Sequence, residues 1–203
     1  IACASLAVTP TLPTVTDNCG NTLTPTGPAM GGTYVSCEGT ITYTYLYTDC
    51  EGNTQDWVYT YTVERSDFSV PSNPAPVTVA CIADATAPTP PTVTDNCGGS
   101  ITPTGPVSGG TYDGCEGTRT YTYTYTDCEG NTHDWVYTYT IERLPFANPT
   151  DEGSEIACAV LAVTPTLPSV TDNCGNTLTP TGPTMGGTYV ACEGTITYTY
   201  VYT

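Results

Sequence analysis

The chain has 203 residues, no lysine and three arginines (Arg65, Arg119, Arg143) against twenty acidic residues, for a formal charge of −17. That charge repels nucleic acid and anionic membrane surfaces, and no apolar run of about 18 residues is present to insert into a bilayer. Eleven cysteines beside two methionines, with no paired C-x-x-C ligands, indicate an oxidising, extracellular compartment. Only 11% of residues are charged while 44 are threonine, so solubility falls to hydroxyls or to groups attached to them. The chain opens at Ile1 without a visible signal peptide, as expected of a processed product or a piece of something longer.

The cysteines set a period. Cys3, Cys81 and Cys158 are evenly spaced, and the same step relates Cys19, Cys97 and Cys174, and Cys37, Cys115 and Cys192. A fourth position is filled by Cys50 and Cys128. Segments 1–48 and 156–203 differ only at Ser5/Val160, Thr14/Ser169, Ala29/Thr184, Ser36/Ala191 and Leu46/Val201, so a double-length period overlies the shorter one. This is the signature of an array of alternating repeats. We delimit a first repeat at 1–65, a second at 77–143 and an incomplete third at 155–203, with connectors at 66–76 and 144–154.

In chain order, Ile1–Val8 reads as an entry strand, Thr9–Pro13 as a proline break and Thr14–Asn18 as a second strand. Cys19-Gly20-Asn21 is a turn, Thr22–Thr26 a third strand, and Gly27-Pro28 with Gly31-Gly32 bounds a loop. Thr33–Ser36 is a short edge strand. Tyr43, Tyr45 and Tyr47 then alternate with threonine, Asp49–Asn53 supplies a turn, and Trp57, Tyr59, Tyr61 and Val63 alternate on the return. The fullest copy of this hairpin is Gly117–Glu142. One face carries rings, expected to be buried, and the other threonine, expected to face water. Several short strands at this spacing, with no stretch of helical period, predict an all-β protein of tandem immunoglobulin-like β-sandwich repeats of about 77 residues, joined by short proline-rich connectors into a rod. The connector prolines favour an extended spacer. The third repeat ends before its return strand, which is expected from the same chain further on or from a neighbouring molecule.

The run Val15-Thr16-Asp17-Asn18-Cys19-Gly20, followed by Gly39–Tyr45 and Asp49-Cys50-Glu51-Gly52-Asn53, resembles the hyalin-repeat (HYR) immunoglobulin-like modules, in particular their cysteine-rich bacterial form. All three repeats carry part of this pattern. The resemblance implies extracellular, tandem, non-catalytic modules of large surface and adhesion proteins. Where the family often has a cysteine in the last strand this chain has Trp57 and Trp135, so the family's disulfide pattern is not carried over. Geometry supplies an expectation instead. Cys37 and Cys50 flank a straight strand and would stand roughly 30–40 Å apart, far beyond disulfide reach. In such a sandwich the turns holding Cys19 and Cys50 share a pole, so Cys19 is expected to pair with Cys50 and Cys97 with Cys128. Cys3–Cys37 follows by elimination, or Cys37 reaches Cys81 and welds neighbouring repeats; Cys115, Cys158 and Cys192 are likewise expected to form disulfides.

No catalytic residue is expected. His133 is the sole histidine and is replaced by Gln55 in the first repeat, so it reads as a solvated turn residue. Asp127 with Glu129, and Asp49 with Glu51, lie in exposed turns without a desolvating pocket. No cofactor is required. Calcium is a candidate through Asp17, Asp49, Glu51 and Asn53, against the plainer reading of turn aspartates that bond their own backbone. O-linked sugar is the sharper candidate, on Thr40, Thr42, Thr44, Thr48, Thr60 and Thr62 and on Thr118, Thr120, Thr122, Thr124, Thr138 and Thr140. β-propensity is the plainer account of those threonines. The expected role is a structural segment of an extracellular filament, stalk or giant adhesin, with its own kind as partner. The competing role is an adhesive module binding a surface glycan or protein through the Asp49–Asn53 pole or through exposed tyrosines.

Overall fold

The computed structural model describes all 203 residues, and the fold is all-β. The first repeat contains β1 (Val15–Thr16), β2 (Thr22–Leu23), β3 (Thr26–Gly32), β4 (Gly39–Thr48) and β5 (Thr54–Val63). The second contains β6 (Val77–Val79), β7 (Val93–Thr94), β8 (Ser100–Ile101), β9 (Thr104–Gly109), β10 (Gly117–Thr126) and β11 (Thr132–Ile141). The third contains β12 (Val170–Thr171), β13 (Thr177–Leu178), β14 (Thr181–Gly187) and β15 (Ile196–Val201). The chain forms two compact units, one of residues 1–74, 87–108 and 121–137, the other of residues 75–86, 109–120 and 138–203.

The long hairpin forms as its alternation dictates. β4 and β5 pair antiparallel in continuous register from Gly39↔Val63 to Thr48↔Thr54. Tyr43, Tyr45 and Tyr47 are buried, and Ala7, Val15, Leu23, Ile41, Trp57 and Tyr61 pack on them. The small β1–β2 sheet thus lies over the ring face of the larger sheet, and the sheets stay open as in β-sandwich modules. The tyrosine hydroxyls reach the segment that leads into and through the proline break: Tyr43 donates to the carbonyl of Ala7, just ahead of it, and Tyr47 to that of Pro13, at its end, at 2.7 and 3.1 Å. This is why a thin core tolerates tyrosine in place of phenylalanine. The second repeat does the same with Tyr123 and Tyr125 on the carbonyls of Pro88 and Pro91.

Four local expectations are corrected. The Thr26–Gly32 stretch is a strand, not a loop: it pairs with β4 from Gly32↔Ile41 to Thr26↔Leu46, with an irregularity between Thr26 and Ala29. Its glycines leave room for the β4 threonines, since a Cβ on Gly31 would stand 3.2 Å from Thr42 Oγ1. Thr33–Ser36 is not an edge strand: Val35 bridges Glu38 around a turn at Ser36 and Cys37. Within Ile1–Val8, Ala4–Leu6 forms a 3-10 turn, and only Ile1 joins the sheet, donating to Thr62 and accepting from Glu64. The rings of β5 are not all buried: Tyr59 is 40% exposed, and Trp57 and Tyr61 are half-buried.

The connector 66–76 is more than a spacer. Phe68 is buried in the second repeat's core with Val93, Ile101, Tyr123, Tyr125 and Trp135, and Val70 packs against the same cluster. Asn73 accepts the Val136 amide at 2.8 Å, and β6 then pairs parallel with β11 at Tyr139–Ile141. His133 is part of this fastening. Its Nε2 lies 3.0 Å from both Asp67 carboxylate oxygens, and its ring meets Phe68 edge-on.

Candidate functional site at the repeat junctions

The densest chemistry lies where one repeat meets the next, and it is built from turns. Asp95 sits at the β7–β8 turn, where Oδ1 accepts the amides of Cys97 and Gly99 at 2.9 and 2.7 Å. Its Oδ2 is left to face the end of β5, where Arg65 forms an ion pair with it. Both side chains are 16% exposed. The same guanidinium lies 3.5 Å from the carbonyl of Ser36, next to Cys37. Burial alone would raise the Asp95 pKa, but the Gly99 and Cys97 amides and Arg65 outweigh it and hold the carboxyl below its usual range.

This geometry recurs one repeat later. Arg143, at the end of β11, reaches Asp172 at 2.8 Å and the carbonyl of Gly114 at 3.1 Å. Asp172 is only 7% exposed and is held low first by the Asn176 side-chain amide, then by backbone amides and Arg143.

Disulfides cross the same two places. Cys3 bonds Cys97 and Cys37 bonds Cys128, so two bridges join the first repeat to the second; Cys81 bonds Cys174, joining the second to the third. Their Cα separations of 5.7, 5.7 and 5.6 Å are ordinary for cystine. The expected pairings Cys19–Cys50, Cys97–Cys128 and Cys3–Cys37 are therefore corrected, as is the alternative Cys37–Cys81. The reason is positional. Cys3 and Cys37 lie by the Gly39/Val63 end of the first hairpin, whereas Cys97 and Cys128 occupy the β7–β8 and β10–β11 turns of the second repeat. Each pole faces the complementary pole of a neighbour, and the bonds run across the junction rather than within a pole. Cys19, Cys50, Cys115, Cys158 and Cys192 are free and exposed.

A family model for the HYR-like domain with 4 cysteines matches residues 1–63, 69–141 and 146–203. The chain belongs to this family. No curated protein matches it significantly. HYR-like repeats with disulfides suggest an extracellular structural or adhesion-type module, and such modules are generally non-enzymatic. Each matched segment contains one cysteine repeat, and the second and third begin at 69 and 146, inside the stretches 66–76 and 144–154.

The remaining candidate residues are placed as follows. Asp17 and Asp49 each spend Oδ1 on two backbone amides and Oδ2 on an asparagine side chain, Asn21 and Asn53 respectively. No three acidic, histidine or cysteine side chains form a group that could hold a metal ion. Thr48, Thr60 and Thr62 are exposed, while Thr40, Thr42, Thr44, Thr118, Thr120, Thr122, Thr124, Thr138 and Thr140 are half-buried in the sheets.

Sequence reasoning missed the arginine clamps and the connector anchors, though a signal was present. Two of the three arginines, Arg65 and Arg143, stand one repeat apart, and so do the only phenylalanines, Phe68 and Phe146. Scarce residue types recurring at repeat positions mark contacts that each repeat needs.

Proposed function

We propose that the chain is a structural segment of an extracellular filament, stalk or large surface adhesin, in which load passes between HYR-like modules through cystine as well as through the backbone. The observation that carries this reading is that every disulfide spans a connector. Cys3–Cys97 and Cys37–Cys128 bridge residues 66–76, and Cys81–Cys174 bridges 144–154. A backbone break in either connector therefore leaves the modules covalently joined. Bridges that only stiffened single modules would not do this.

Limited proteolysis tests the point. After cleavage within 144–154 the unreduced protein is expected to migrate as one species and to separate into two fragments only on reduction. Separation without reductant would sink the reading. A sugar coat on the exposed Thr48, Thr60 and Thr62 belongs to the same proposal. Peptide mass spectrometry of native material is expected to find hexose-sized additions there, and unmodified threonines would remove that part.

A second reading, adhesion to glycans, is supported by the exposed edge of the β5 ring ladder. Tyr59 and Tyr61 stand 5.0 Å apart beside Val8–Thr11. Saturable glycan binding lost on Tyr59→Ala would favour it.

A further inference from the structure

We propose that Cys37–Cys128 is a modification site for low-molecular-weight thiols, a latch that opens by thiol–disulfide exchange while Cys3–Cys97 keeps the same junction covalently closed. The inference needs only the two bonds and stands apart from the filament reading. Both cystines join the first module to the second, but they differ in access. Cys3 is 8% exposed and Cys97 half-buried, whereas Cys37 is half-buried and Cys128 exposed, in the turn between β10 and β11. Cys128 lies in mid-chain between two strands of full length, so its exposure belongs to the turn itself.

The inner bond is also screened. The Cys3 sulfur lies 3.7 Å from the carbonyl oxygen of Asn96, and the Cys97 sulfur 3.3 Å from that of Ala2. A cystine sulfur has no hydrogen to donate, so these contacts put partial negative charge beside both sulfurs and repel an approaching thiolate. Cys81–Cys174 repeats the bracket, with the oxygens of Asn173 and Ala80 at 3.8 and 3.4 Å. Neither sulfur of Cys37–Cys128 has such a neighbour.

In the proposed step a thiolate RS⁻ bonds to the exposed Cys128 Sγ, the Cys37–Cys128 bond breaks, and Cys37 leaves as a thiolate. A second RS⁻ then attacks the R-group sulfur of the mixed disulfide, releasing the Cys128 thiolate and RSSR. Two RSH are oxidised, one cystine is reduced, and the two cysteine thiolates take up the protons that the two RSH gave. The Arg65 guanidinium, 3.5 Å from the carbonyl of Ser36, sets a fixed positive charge next to Cys37 and favours it as the leaving group. Afterwards Cys3–Cys97, the Arg65–Asp95 ion pair and the buried Phe68 still hold the junction, while the turns at Ser36–Cys37 and Asp127–Asn131 lose their tie to each other.

The test uses the full oxidised chain, with Cys19, Cys50, Cys115, Cys158 and Cys192 first blocked by iodoacetamide under native conditions. A timed pulse of glutathione is quenched with N-ethylmaleimide and mapped by peptide mass spectrometry. Cys37 and Cys128 are expected to react about tenfold faster than Cys3 and Cys97, as their access implies, with the glutathione adduct on Cys128 and the first maleimide label on Cys37. Hydrogen exchange after the pulse should quicken at the Glu129 and Asn131 amides and stay unchanged at those of Cys97 and Gly99. The double variant C37S/C128S should retain Cys3–Cys97, which reports that it has folded, and lose the fast step. Opening of Cys3–Cys97 first, or of both bonds at one rate, would overturn the proposal. So would an adduct on Cys37, or unaltered exchange at Glu129 and Asn131 once the bond is open.

Discussion

Asp17, Asp49, Asp95, Asp127 and Asp172 perform one task in five turns: each carboxylate accepts the backbone amides two and four residues ahead. All five are held below the usual value of 3.8. For Asp17, Asp49 and Asp172 the asparagine side chain four residues on is the leading cause; for Asp95 and Asp127 burial opposes the shift and the amide donors outweigh it. A depressed folded pKa stabilises the fold fully above the unfolded value, and that stability disappears as pH falls through the folded values. The melting temperature is therefore expected to be flat from neutral pH to about pH 5 and to fall below about pH 4, as followed by circular dichroism. Asp127→Asn should melt lower at neutral pH and lose less on acidification. An unchanged acid limb would show that these turns are not what acid breaks. Backbone constraint at this scale is clearest at Gly110, where φ is +118° and a Cβ would overlap the Thr118 carbonyl oxygen. Gly110→Ala should cost about 1–3 kcal/mol, read from the urea midpoint.

The elements differ in how far local chemistry defines them. The β4–β5 and β10–β11 hairpins were legible because alternation of rings and threonine decides both the period and the buried face. β3 was not. Gly27-Pro28 and Gly31-Gly32 read as loop on propensity, yet those small residues are what allow this strand to lie beside the threonines of β4, so tertiary pairing overrides composition. The connector 66–76 was misread for a related reason: its prolines announce extended chain, and nothing local announces that the chain is laid on the next module's core. Phe68 makes that contact. Its removal should open a cavity beside Trp135 and destabilise the second module by about 2–4 kcal/mol, measurable by urea unfolding through tryptophan fluorescence. Phe146→Ala, at the equivalent but only half-buried position, should cost less. Equal effects would argue that Phe68 is not a core residue.

At the scale of the whole molecule, the family and the cysteine period were legible in the sequence and the cystine partners were not. A regular spacing places every cysteine equally well opposite its own module or its neighbour's, and only the pole that each turn occupies decides between them. That decision changes how the chain carries force. With the three bridges closed, the shortest covalent path runs from residue 1 to Cys3, crosses to Cys97, returns along the backbone to Cys81, crosses to Cys174 and continues to residue 203. That path contains about 50 residues, so the ends can separate by roughly 180 Å at ~3.6 Å per residue. The reduced chain can reach roughly 700 Å by the same measure. Single-molecule stretching should therefore stop near the shorter limit under oxidising conditions and extend to the longer one after reductant. Breaking Cys81–Cys174 alone, by C81S, moves the route to Cys97 and forward along the backbone to residue 203. The oxidised limit then rises to roughly 400 Å, because residues 98–173, most of the second module and the connector after it, are no longer bypassed. An oxidised wild-type chain that stretched past the limit of the C81S variant would mean the bridges do not cross the junctions, and the load-sharing role would fall with them.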